Sequence, residues 1–338
     1  MTIMTHKKGI SDIYATQGSS SDLKVRINYV KGWGGDLYLT FLVPSKVAAM
    51  RTSGDKTYYQ NAINYAHSQG MKIKLTHNIS WYPRGTSGAG TKAVRQAFET
   101  NLTAQQQFLD DLLWAVTNLT GLDGIELEEP HSWDYATSHL AFWKAFHLKC
   151  YNKIKSFLDT HLNFDWGFNF INNSDSVSLN QGIDINYLNT NKIFRNVYVQ
   201  AFSETLTGFQ SIINRYKPKF TNIEMGVYNY YSSSTYIQGC TVPSCYNQAM
   251  FENMKYAHQN GIPYQYFYMG SCFQTISYYP GNTALGATVG AAMKTIWTGA
   301  ATPPPPPPPQ PTVETDPSKI VMALAGVGGL LYILDKEI

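Results

Sequence analysis

The stretch GLDGIELEEPHSWDY, residues 121–135, decides the fold. Side chains of a strand alternate between its two faces, so Ile125 and Leu127 share one face and Glu126 and Glu128 share the other. A strand that is apolar on one side and acidic on the other needs a greasy layer outside it and a polar enclosure within. Glu129 then falls at the end of the strand, with His131, Trp133 and Asp134 just beyond. Upstream, Leu109, Leu112, Leu113 and Val116 recur at i, i+3, i+4, i+7, the stripe of an amphipathic helix, and a glycine turn joins that helix to the strand. Downstream comes a second apolar run, FDWGFNFI (164–171).

The same unit of helix, turn and apolar strand recurs along the chain. INYAHSQGMKIKL (63–75) and MKYAHQNGIPYQYF (254–267) are near copies, each a helix whose C-terminal glycine delivers the chain into a strand. Phe209, Ile212, Ile213 and Tyr216 make another helical stripe. Strands are expected at 8–14, 36–43, 71–79, 123–129, 164–171, 195–202, 222–228 and 264–270, with helix-length sequence in most of the intervals and a closing helix at 285–297. Alternating β and α elements imply a parallel sheet, and eight such units imply an α/β fold closed into a single (β/α)8 TIM barrel. The weakest interval is 176–194, where SVSLNQGIDINYLNTNKIF makes a poor helix, and the first strand is weak too. An open doubly wound sheet is the alternative, but no GxGxxG loop follows an early strand.

In such barrels chemistry sits at the C-terminal ends of the strands. Glu126 and Glu128 should point into the barrel near its mouth, with Glu129 at the rim. Crowded, buried carboxylates cannot all ionise cheaply, which separates an acid from a base or nucleophile. A second reading pairs one or more of them with an inward cation such as Lys74. Glu204, just after the sixth strand, reaches the same rim; it also reads as an acid at a helix N-terminus. Asp134 is a further contender, and Glu224 a weaker one because it lies near the start of its strand. Flat aromatic platforms and amides gather at the strand ends: His77, Asn78, Trp81 and Tyr82 after strand three, Asn169, Asn172 and Asn173 after strand five, Tyr228 after strand seven and Tyr268 on strand eight. His131 and Trp133 join them from the loop after strand four.

DGIELEEPHSW resembles the fourth-strand signature of TIM-barrel glycoside hydrolases, of the form DGI, acid, apolar, acid. The resemblance implies a glycosidase-like barrel with a carbohydrate partner. Asp123, Glu126 and Glu128 fall on the first three acidic positions of the chitinase motif DxxDxDxE, but Pro130 stands where that motif has its catalytic glutamate. Hydrolysis needs two carboxyls about 5–5.5 Å apart for retention or about 6.5–9.5 Å for inversion. Glu128 is the leading candidate for one of them, and Glu204, Glu129 and Glu126 are the candidate partners. His77, Trp81, Tyr82, His131, Trp133, Asn169, Tyr228 and Tyr268 would line the sugar site. The alternative is a non-catalytic carbohydrate-binding or structural surface protein on the same scaffold.

Composition narrows the partners. Charged residues are only 14% of the 338, and the net charge is +3 with no basic run, so nucleic acid is excluded as a partner. Glu126, Glu128, His77 and His131 are metal-capable, yet no HxH pair accompanies them on strand one, so neither metal nor cofactor is expected. Cys240 and Cys245 bracket a four-residue turn and either close a local disulfide or stay as two thiols. Cys150 falls on a helical stripe and should be buried. The four Asn-x-Ser/Thr sequons, at Asn78, Asn101, Asn118 and Asn172, are what this composition produces by chance.

Beyond the barrel, expected to span 1–300, lies a Pro-rich linker (301–318) with seven consecutive prolines. Such a run forms a stiff polyproline II rod of about 3.1 Å per residue. It leads to IVMALAGVGGLLYIL (320–334), 15 uncharged residues between Lys319 and Asp335. That is short of the roughly 20 usual for a span, but thinning of the bilayer tolerates mismatch. The segment 319–335 therefore reads as a C-terminal transmembrane helix, a single-pass membrane anchor that displays the barrel on a cell or virion surface. The alternative is a last core helix, which a rigid rod disfavours. The N-terminus lacks the apolar core of a secretory signal.

Overall fold

A computed structural model describes residues 8–12, 20–32, 34–84, 92–128, 139–171, 184–202, 205–218, 220, 222–228 and 248–268. Eight strands, β1 (Lys8–Asp12), β2 (Leu37–Phe41), β3 (Lys72–Asn78), β4 (Gly124–Glu128), β5 (Asp165–Ile171), β6 (Asn196–Phe202), β7 (Asn222–Tyr228) and β8 (Tyr264–Tyr268), each fall inside the span expected from sequence. They pair in parallel in chain order, and β8 pairs with β1 to close the barrel.

Every interval between consecutive strands holds a helix: α1 (Ser20–Gly32), α2 (Pro44–Ser53), α3 (Thr57–Ser68), α4 (Lys92–Thr100), α5 (Leu102–Asn118), α6 (Leu140–Thr160), α7 (Ile185–Thr190), α8 (Leu206–Tyr216) and α9 (Gln248–Gln259). In the poor helical interval after β5, the described residues form the short helix α7, capped by the Asp184 side chain on the Tyr187 amide (2.9 Å). The two near-copies have the same geometry. Gly70 and Gly261 take positive φ (68° and 64°), and the next residue's amide returns to the helix, Met71 to Ala66 O and Ile262 to Ala257 O, both at 2.9 Å. Only glycine adopts that backbone without strain, which makes it the stop that turns each helix into its strand.

The core lies between the outer faces of the strands and the helices. Ile73, Leu75, Ile125, Leu127, Trp166 and Phe168 are buried there, each side chain contributing roughly 1.5–3 kcal/mol. The α8 stripe Phe209, Ile212, Ile213 and Tyr216 is buried as the periodicity required. On α5 the buried stripe is rotated toward Ala104, Phe108, Asp111, Leu112 and Ala115, and Leu109 and Leu113 are only partly buried. Cys150 is a buried free thiol on α6.

Among the described residues no helix is long and apolar enough to cross a membrane. The linker, the 319–335 segment, the expected closing helix at 285–297 and the Cys240–Cys245 turn lie outside the described residues.

Candidate functional site

Strand register builds the barrel interior row by row. Lys74 stands opposite Gly124, Thr76 opposite Glu126 and Asn78 opposite Glu128; Glu128 in turn lies opposite Asn169, Asn169 opposite Tyr198 and Tyr198 opposite Glu224. From β3 to β7 the inner face is therefore largely polar, while β2 contributes Leu37, Leu39 and Phe41 to it.

At its centre is Lys74, wholly buried. Its ammonium is ion-paired with Glu126, lies 2.9 Å from Asp165 Oδ2 and 3.2 Å from Glu224 Oε2. Burial alone would strip its proton, but Asp165, Glu126 and Glu224 together outweigh that cost and hold its pKa well above the usual lysine value. One cation serves three acids. Burial pushes the Glu126 carboxyl up to about 7; Lys74 opposes the rise, and Glu224 and Asp165 add to it. Of the two readings open from sequence, Glu126 thus follows the ion pair: it sits below the mouth as part of the Lys74 knot. Asn196 Nδ2 reaches both Glu224 Oε2 (3.3 Å) and Asp165 Oδ1 (3.4 Å) from the adjoining strand.

Nearer the mouth, Glu128 ends β4 on the inner face and is 2% exposed. Gln200 Nε2 donates to its Oε1 (3.4 Å) and also to Asn169 Oδ1, while Asn169 Nδ2 donates to Glu126 Oε2 (3.4 Å). Asn169, expected as a sugar contact, is thus a buried link between the two glutamates. Beside them the Tyr198 ring crosses from β6 to β7. A Cβ on Gly226 would lie 2.5 Å from Tyr198 Oη, so that position must be glycine. Burial pushes the Tyr198 phenol well above its ordinary pKa, and the charges of Glu126, Glu224 and Glu128 push it further. Nothing among the described residues hydrogen-bonds its hydroxyl.

Two expected sugar contacts lie elsewhere. His77 alternates with Lys74, Thr76 and Asn78, so its ring points outward: it stacks on Phe108 of α5 (centroids 3.7 Å), and Nε2 lies 2.9 Å from Phe108 O. Burial lowers its pKa to about 4, leaving a neutral ring in the helix layer. Tyr82 follows it outward and donates to Asp111 Oδ2 (2.9 Å), a fully buried carboxylate on α5 that also binds Arg84 and, at 3.1 Å, Arg51. Trp81 stays half-buried beside the mouth, 6.5 Å from the Phe41 ring. Asp123 is at the opposite end of the barrel, where it accepts the Ile73 amide (2.8 Å) and meets His67 and Lys72. It braces β3 against β4 at a distance from any mouth chemistry.

Glu129, His131, Trp133, Asp134 and Glu204 lie outside the described residues, although the N-cap of α8 is Thr205, immediately after Glu204. Tyr228 and Tyr268 end β7 and β8, with their side chains outside the description. Among the described residues no group of three or more His, Cys, Asp and Glu is disposed to hold a metal. The sequence reading gave Glu224 little weight and did not raise Asp165, because their meeting with Lys74 depends on strand stagger, which no single segment shows.

No protein-family model matches the chain, and no curated protein sequence matches it. Solved structures do. The endo-β-1,4-mannanase from Thermotoga petrophila is similar over 88% of this chain and 78% of its own, with TM-score 0.58 at 12% identity. The endo-1,4-β-mannanase from Rhizomucor miehei is similar over 86% and 95%, with TM-score 0.56 at 13% identity. The spore cortex-lytic enzyme SleL of Bacillus megaterium is similar over 79% and 71%, with TM-score 0.51 at 7% identity. At these identities the likeness is one of fold: the chain carries a TIM barrel, as these three enzymes do.

Proposed function

We propose that this barrel is a glycoside hydrolase-like protein that takes a glycan at the C-terminal ends of its strands. Glu128 is one carboxylate of the reacting pair, and Glu129 or Glu204 at the rim is the other. The observation that carries this reading is the position of Glu128: an inward, nearly buried carboxyl at the end of β4, held by an amide and set above the acids that Lys74 engages. Buried carboxyls at this end of a barrel are placed for acid, base or nucleophilic work. In the same reading, the proline rod and the apolar 319–335 segment tether the barrel to a membrane and display it on a cell or virion surface, where the glycan lies.

The full chain, assayed on β-1,4-mannan, spore-cortex glycan and other β-linked glycans, should cleave at least one of them. Glu128→Gln should then lower the rate by about 100-fold or more. An unchanged rate removes Glu128 from the chemistry. A second reading, a non-catalytic glycan-binding barrel, is favoured by the Lys74 knot, which engages Glu126, Asp165 and Glu224, and by Pro130 at the glutamate position of the chitinase motif. Saturable oligosaccharide binding by wild type with no cleavage of any glycan would establish it.

A further inference from the structure

The polar groups inside the barrel form one continuous chain. From mouth to floor it runs Glu128, Gln200, Asn169, Glu126 and Lys74, and then divides to Asp165 and Glu224. Two amides occupy the middle, and both orient their NH2 groups toward carboxylates. Gln200 cannot be turned over without presenting its oxygen to Glu128, and Asn169 cannot be turned over without presenting its oxygen to Glu126. Their orientations are also interlocked, because the oxygen of Asn169 is the acceptor for the nitrogen of Gln200. The knot around Lys74 fixes Glu126, Glu126 fixes Asn169, and Asn169 fixes Gln200.

We infer that Gln200 and Asn169 are positioning residues that orient the Glu128 carboxylate and link it to the buried Lys74 centre. This rests on the reading of Glu128 as a reacting carboxylate. Gln200, Asn169 and Asn78 lie beside Glu128 from β6, β5 and β3. Among the described residues, Glu126 follows on its own strand through Asn169, Tyr198 stands near on β6, and Lys74, Asp165 and Glu224 form the knot below. The amide N–H of Gln200 donates to Glu128 Oε1 and so bears directly on the orientation of that carboxylate.

The test follows the proton on Glu128 directly. The full chain is labelled with 13C at glutamate side-chain carboxyls, the Glu128 resonance is assigned by its loss in Glu128→Gln, and its titration midpoint is read by NMR. Gln200→Leu should raise that midpoint by about one pH unit, and Asn169→Leu, which touches only the relay, by about half as much. If Gln200→Leu does not fold, Gln200→Met, of nearly equal volume, takes its place. Midpoints unchanged within about 0.2 units in cooperatively folded variants overturn the inference and leave both amides as packing. The measurement needs no hydrolysis. A shifted midpoint in a barrel that cleaves nothing removes the enzyme reading and keeps the relay, whereas cleavage with unshifted midpoints does the reverse.

Discussion

Two buried polar knots in this molecule have opposite arithmetic. Inside the barrel one lysine is shared by three carboxylates, Glu126, Asp165 and Glu224. Outside it, between α5 and the turn after β3, one carboxylate, Asp111, is shared by two arginines and a tyrosine hydroxyl. Donors are in surplus around Asp111, and the arginines remain partly exposed, 38% for Arg51 and 26% for Arg84, so excess charge drains into water. Acids are in surplus around Lys74, where all members are nearly dry, and the excess must be met by holding a proton. The outer knot pins the chain at Arg84 and Tyr82 against the helix layer. The inner one stores a proton near neutral pH beneath the strand ends.

Removing each centre should expose that difference. Lys74→Met strands three carboxylates together, and breaking a buried pair from one side costs about 3–5 kcal/mol. The loss should be greatest at neutral pH and shrink as the acids protonate. Urea unfolding at two pH values reads both effects, and a loss that does not depend on pH would mean the carboxylates escape to water. Asp111→Asn leaves a neutral acceptor of the same shape and lets Arg51 and Arg84 turn outward, so about 1–3 kcal/mol should go. Thermal melts made alongside Lys74→Met decide the ranking, and a larger loss at Asp111 would invert the comparison.

A further effect concerns the stored proton. Glu126 has its pKa raised from 4.5 to about 7 in the folded barrel, so the folded state holds that proton more tightly than the unfolded chain does. Its contribution to stability is whole below pH 4.5 and is lost as the pH climbs through about 7. Glu126→Gln fixes the neutral form, and its stability relative to wild type should therefore rise across that window by about 3 kcal/mol. A flat difference between the two proteins would place the proton on another member of the knot.

The strands were legible because their outer faces are largely apolar and the helices before them end on glycines, as at Gly70 and Gly261. The inward direction of Glu126 and Glu128 followed from alternation alone. His77 and Tyr82 were misplaced because position along the strand was weighed above parity: His77 shares the face of Ile73 and Leu75, and that face belongs to the helices. The partners of Lys74 could not be chosen from one strand. Which of several inward acids meets a given lysine depends on the stagger of strands around the barrel, and no single segment encodes it. The α5 stripe is rotated because Asp111 finds its partners inside, in Tyr82, Arg84 and Arg51.

Gly226 carries a consequence for how the chain can vary. Because the Tyr198 ring occupies the space of its missing side chain, the two positions form a matched pair across β6 and β7. An alanine at 226 is admissible only after the tyrosine has been replaced by something shorter. In a lineage of this protein, therefore, the order of changes is constrained: the large residue must shrink first. The reverse order passes through an overpacked barrel, a step that costs about 1–3 kcal/mol and is a barrier to drift at the floor of the mouth.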